Sequence, residues 1–122
     1  MLVVDAANVV GSRPNGWWRD RGKAAESLCR ELVDAIDAGR LESPVVVVLE
    51  GGARRGVAER EQNGLHVVHA AGSGDDTIAE LVAQEAANRQ TVTVVTAVRE
   101  LRDRARRVGG DVVGPRWLLD RL

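Results

Sequence analysis

Short valine-rich runs alternate along the chain with longer stretches in which apolar residues recur every three or four positions. The runs at 2–5 (LVVD), 45–49 (VVVVL), 65–69 (LHVVH) and 91–95 (TVTVV) are apolar on both faces. That is the pattern of parallel strands covered by helices on each side. A shorter run at 111–113 makes a fifth strand. Residues 19–38 set Leu28, Leu32 and Ile36 four apart, with Ala25, Cys29 and Val33 beside them and Gly39 as a stop. Residues 76–88 carry Ile78, Leu81 and Val82, and residues 97–108 carry Leu101, Ala105 and Val108 ahead of Gly109 and Gly110. Pro115 opens a last helix, RWLLDRL, and the charged segment 53–63 reads as a short helix.

Strands alternating with helices predict an α/β fold, a three-layer α/β/α sandwich around a mainly parallel, Rossmann-like sheet of five strands. At 122 residues the chain suits one domain, 1–122, with a single substantial core. With no Phe or Tyr and three Trp, that core must be built from Val, Leu, Ile and Ala. Basic and acidic residues nearly balance, 17 against 18, so any surface for a polyanion has to be local. The single cysteine, Cys29, excludes an intrachain disulfide and fits a reducing, cytoplasmic setting as inert packing. No basic n-region, signal peptide or run long enough to span a membrane is present in this sequence.

In open α/β sheets ligands bind beyond the carboxyl ends of the strands, so the strand exits are where chemistry is expected. The first strand ends in Asp5, followed by Asn8; the second in Glu50; the third in AAGSGDDT, whose Asp75 and Asp76 open a helix. Converging carboxylates repel one another, and a hard divalent cation, magnesium or manganese, relieves that repulsion. Each of these residues also has a structural use: Asp5 in hydrogen bonds to local backbone amides, Asn8 in an Asx turn, Glu50 as a solvated loop residue, one of the Asp75–Asp76 pair as a helix cap. Capping needs only one acid, which leaves the other for a site. GSGDDT is not a dinucleotide fingerprint, because Thr77 stands where a third glycine is required. There is no P-loop, no zinc spacing and no nucleophile elbow. His66 and His69, three apart on a strand, face opposite ways and make no joint site.

The loop GSRPNGWWRDR gathers Arg13, Trp17, Trp18, Arg19 and Arg21 just beyond the Asp5 strand. Guanidinium groups on phosphates with indoles under bases suit single-stranded nucleic acid. The competing use is packing, with one Trp seating the first long helix on the sheet and the other exposed.

The segments VVDAANVVGS, GSGDD and VTVVTAVREL, in this order and spacing, resemble the NYN domains of the PIN-like nuclease superfamily over nearly the whole chain. The resemblance implies a sheet of order 3-2-1-4-5 and Mg²⁺- or Mn²⁺-dependent hydrolysis of RNA phosphodiester bonds. It places Asp5, Asp75 and Asp76 as metal ligands, with Asn8 completing the catalytic set. Arg13, Trp17, Trp18, Arg19 and Arg99 are the candidates for holding single-stranded RNA. Two positions depart from the pattern. Ala6 replaces the glycine of a D-G-x-N motif, and Val98 stands where the fourth strand usually supplies an Asp in a T-x-D triplet. The expectation is thus a metal-dependent ribonuclease weakened by Val98. The alternative is a degenerate PIN-like domain that binds RNA or a protein partner, a second copy included, without cleavage. A phosphatase-type reading with Asp5 as nucleophile wants a second acid at Ala7 and lacks it.

Overall fold

A computed structural model describes residues 1–122. The chain runs β1 (Leu2–Asp5), α1 (Ala6–Gly11), a 3-10 turn (Trp17–Arg19), α2 (Arg21–Asp37), β2 (Val45–Leu49), a second 3-10 turn (Gly51–Arg55), β3 (Arg60–Gln62), β4 (Leu65–His69), α3 (Gly74–Ala87), β5 (Thr93–Val95), α4 (Arg99–Arg107), β6 (Asp111–Val113) and α5 (Pro115–Leu119). The sheet order is β3-β4-β2-β1-β5-β6. β4, β2, β1, β5 and β6 are mutually parallel. Counted along the chain, these five give the expected order 3-2-1-4-5.

Strand parity divides the core into two layers. Leu2 and Val4 of β1, with Val45, Val47 and Leu49 of β2, pack against Val9 of α1, Leu28 and Leu32 of α2 and Leu118 of α5. Val3, Val46 and Val48 point the other way, onto Ile78 and Val82 of α3 and Leu101 and Ala105 of α4. Successive side chains on a strand alternate faces, so Asp5 falls on the face of Val3, the face that α3 covers. Cys29 is buried on α2. Burial pushes its thiol up to about 11, which keeps it out of thiolate chemistry.

Three local features differ from the sequence expectation. The segment 53–63 is a 3-10 turn followed by β3, a sixth strand antiparallel to β4, and not a helix. Asn63 and Gly64 close this hairpin with φ of 53° and 83°, the left-handed pair that a two-residue primed turn demands. A short helix, α1, occupies 6–11, where the pattern of apolar positions predicts no element. Asp5 caps it, accepting from the Asn8 N–H, and this side-chain bond ends the strand and starts the helix within one residue.

α2 lies across the turn that follows β2, with backbone against backbone at Gly22 and Gly56. A Cβ on Gly22 would stand 3.2 Å from the Gly56 nitrogen, and a Cβ on Gly56 would collide with the Gly22 carbonyl. Gly56→Ala should therefore destabilise the protein by about 2 kcal/mol or more, the scale of an overpacked contact that only backbone movement relieves. Thermal denaturation should show a Tm lower by roughly 6 °C or more. Gly72→Ala, where an added methyl meets nothing within 4 Å, should leave Tm nearly unchanged.

Candidate active site

β1 lies at the middle of the sheet, between β2 and β5, and the chain leaves β1 and β5 in opposite directions. The crevice that this divergence opens is where such sheets bind ligands. Asp5 stands at its floor with 4% of its surface exposed. Thr96, fully buried at the end of β5, donates its hydroxyl to Asp5 Oδ2 at 2.9 Å. The same hydroxyl accepts the Val98 N–H at 3.1 Å, so both its donor and its acceptor capacity are used. Asn8 adds a second tie across the crevice, its Oδ1 accepting the Ala97 N–H at 2.7 Å. The β1 and β5 exits are thus fastened by two side-chain hydrogen bonds.

The third wall is the start of α3. Ser73 caps this helix, its Oγ accepting the Asp75 N–H at 3.2 Å, so neither Asp75 nor Asp76 is needed as the cap. Glu50, at the exit of β2, accepts the Gly74 N–H at 3.1 Å. A Cβ on Gly74 would stand 3.1 Å from Glu50 Oε1, so glycine is what allows the carboxylate to approach the helix end. This contact brings Glu50 into the acidic group and ties the β2 exit to α3.

Burial raises the Asp5 carboxyl to about 6, against the lowering effect of its Thr96 and Asn8 hydrogen bonds. The negative charges of Asp75 and Glu50 raise it further. Asp75 is raised as well, first by burial and then by Glu50, with Arg104 opposing. Asp5, Asp75 and Glu50 are therefore one electrostatic group. Asp76 lies at its margin: exposed, it accepts from Arg104 Nη1 at 3.0 Å. Val98, at the N-cap of α4, packs against the α3–α4 layer and supplies no capping side chain.

No three His, Cys, Asp or Glu side chains stand close enough in this arrangement to enclose a metal ion. The donor chemistry nevertheless suits a hard divalent cation, because the negative charges of Asp75 and Glu50 act on Asp5 and that of Glu50 acts on Asp75.

In the loop after α1, Trp18 is 57% exposed and Trp17 half-buried, the two rings edge-to-face at 6.2 Å. Arg19 lies over the Trp18 ring at 5.8 Å and Arg21 over Trp17 at 5.5 Å. Arg13, read from sequence as a phosphate contact, is instead held by both carboxylate oxygens of Glu31 on α2, at 2.6 and 3.0 Å. Arg99 is exposed at the first position of α4. His69 donates Nε2–H to the Val57 carbonyl at 2.6 Å, a structural use. Thr96 is the member of the site that sequence reasoning missed. Its signal was the T-x-V triplet itself, whose threonine survives where the expected acid does not.

The raised Asp5 carboxyl has a stability consequence. Between its unfolded value of 3.8 and about 6, the folded chain holds a proton that the unfolded chain has released. Stability therefore falls as pH rises through that window, by an amount on the order of 3 kcal/mol for a shift of about two pH units. In urea denaturation at pH 4 and 7.5, Asp5→Asn should remove this slope and be the more stable protein at pH 7.5. Added Mn²⁺ should raise the wild-type Tm at pH 7.5 and leave that of Asp5→Asn unmoved. A wild-type curve parallel to the variant's at both pH values would show that Asp5 does not carry a buried charge.

Comparison with family profiles gives no match, and no curated protein sequence matches the chain. Among solved structures it is similar to Rae1 (YacP) from Bacillus subtilis, with a TM-score of 0.73 at 18% identity over 98% of this chain and 71% of that one. The W164L mutant of the same protein gives a TM-score of 0.70 at 19% identity over the same shares. The α/β fold with a mostly parallel six-stranded sheet flanked by helices is thus shared with Rae1.

Proposed function

We propose that this chain is a metal-dependent ribonuclease of the NYN/PIN-like type, acting on single-stranded RNA with Mg²⁺ or Mn²⁺. The observation that carries this reading is the buried Asp5 carboxylate at the crevice between β1 and β5, surrounded by Asp75 and Glu50. A negative group at that depth costs several kcal/mol without compensation, and hydrogen bonds from Thr96 and Asn8 offset only part of it. The shared fold with Rae1 supports the same reading.

Asp5, Asp75 and Glu50 are the residues that would hold the ion, which when bound supplies an acidified water and neutralises charge on the leaving oxygen. Thr96 orients Asp5 by donating to Oδ2, while Oδ1 accepts the Asn8 N–H. Asn8, its Oδ1 committed to Ala97, has its NH₂ group free for a phosphate oxygen. Trp18 offers an exposed indole to a base, with Arg19 beside it, and Arg99 offers a charge to the backbone at the start of α4. Asp76, engaged by Arg104, contributes to the field on Asp75 more than to the ion.

Val98 favours a second reading, a domain that binds RNA or a protein partner without cutting. An apolar side chain fills the position where a fourth acid would stand, and it packs into the core layer beside α3. The two readings separate in a cleavage assay on 5′-labelled single-stranded RNA with Mn²⁺. The nuclease reading expects wild-type cleavage, a loss of about a hundredfold or more in Asp5→Asn and Asp75→Asn, and less than about tenfold in Asp76→Asn. Equal rates for wild type and Asp5→Asn would sink the site. An inert wild type with activity appearing in Val98→Asp would establish the binding module.

A further inference from the structure

The 3-10 turn Gly51–Arg55 follows Glu50 directly and separates two recesses of opposite character. On one side lies a cleft of about 320 Å³ whose apolar walls include Ala6, Val10, Trp17 and Ala53, with Arg21 and Glu50 as its charged members. On the other side Gly51 and Gly52, Arg54, Arg55 and His69 line a recess without a single hydrophobic residue. Gly51 belongs to both, so the recesses meet over the backbone of one residue. Arg54 is braced in place, donating from Nε to the Gly51 carbonyl and from Nη1 to the Ala70 carbonyl, both at 3.3 Å. Arg55 is exposed and pairs with no acidic side chain. Glu59 accepts the His69 N–H at 3.1 Å.

We propose that this turn is a saddle for one nucleotide of the RNA, with its base in the Trp17 cleft and a phosphate on Arg54 and Arg55. The proposal rests on the RNA reading above and adds a subsite to it. Charge decides which part of the nucleotide goes where. A phosphate in the cleft would face the Glu50 carboxylate, whereas an uncharged, flat base gains a half-buried indole and apolar walls. The phosphate falls instead to the recess whose lining holds two arginines and no acid. Glu50 lines the cleft and accepts the Gly74 N–H at the start of α3, so a strand straddling the turn passes beside the acidic group that Asp5 anchors.

The test is binding of a fluorescein-labelled decanucleotide RNA by anisotropy in metal-free buffer, where cleavage does not intervene. An abasic position is moved along the probe. Wild type should show one position at which loss of the base weakens binding about fivefold to a hundredfold. Trp17→Leu, which keeps apolar packing but removes the indole, should bind the intact and abasic probes alike. The double variant Arg54→Ala/Arg55→Ala, changed only on the surface, should weaken every probe about equally and lower the salt dependence by roughly one phosphate contact. The inference is overturned if wild type binds RNA with no abasic-sensitive position and the double variant binds as well as wild type. It is overturned also if the abasic penalty persists unchanged in Trp17→Leu. A wild type that binds no RNA would remove the RNA reading itself, and this subsite with it.

Discussion

The site depends on a buried carboxylate, Asp5, and on the hydroxyl of Thr96 that donates to it at 2.9 Å. Asp5 performs three tasks at once. It ends the central strand, caps α1 through the Asn8 N–H, and presents charge to the crevice between diverging chains. Thr96 makes this tolerable by satisfying one oxygen, and its acceptance of the Val98 N–H turns the chain into α4. The arrangement still leaves the carboxylate poorly solvated, so its proton affinity stays high. That negative charge is what the proposed cation would neutralise.

The surrounding elements serve this point. β2 brings Glu50 and, through Gly74, fastens the start of α3 at the distance where Asp75 is felt by Asp5. The Gly22–Gly56 contact lets α2 sit directly on the turn after β2, which holds the Trp17 cleft against the same exit. Sheet, helix starts and loop converge on one edge because the parallel strands all point their carboxyl ends there.

Much of this was legible from residue pattern. The five parallel strands, their order through the family resemblance, the helices on both faces and the acidic strand exits all follow from Val-rich runs and helical spacing. The hairpin at Asn63–Gly64 carried a clear signal that the charge density of 53–63 concealed. α1 was illegible because AANVVG has strand-like composition, and only the Asp5 cap makes it helical. The residue pattern reads Asp75 and Asp76 alike, whereas adjacent helical residues differ by about 100° in direction. One turns to the acidic group and the other to Arg104.

The sequence by itself determined the five parallel strands, the long helices and which acids stand at strand exits, because periodicity and turn chemistry are local. It also placed Asp5 on the face of Val3, since strand side chains alternate strictly. Only the tertiary structure decided which side chains share a field. Thr96 meets Asp5 across 91 residues, Glu50 meets Gly74 across 24, and Arg13 is claimed by Glu31 across 18. These partnerships depend on how neighbouring strands register and how closely backbones approach at glycine. Such distances exist only once the sheet has assembled.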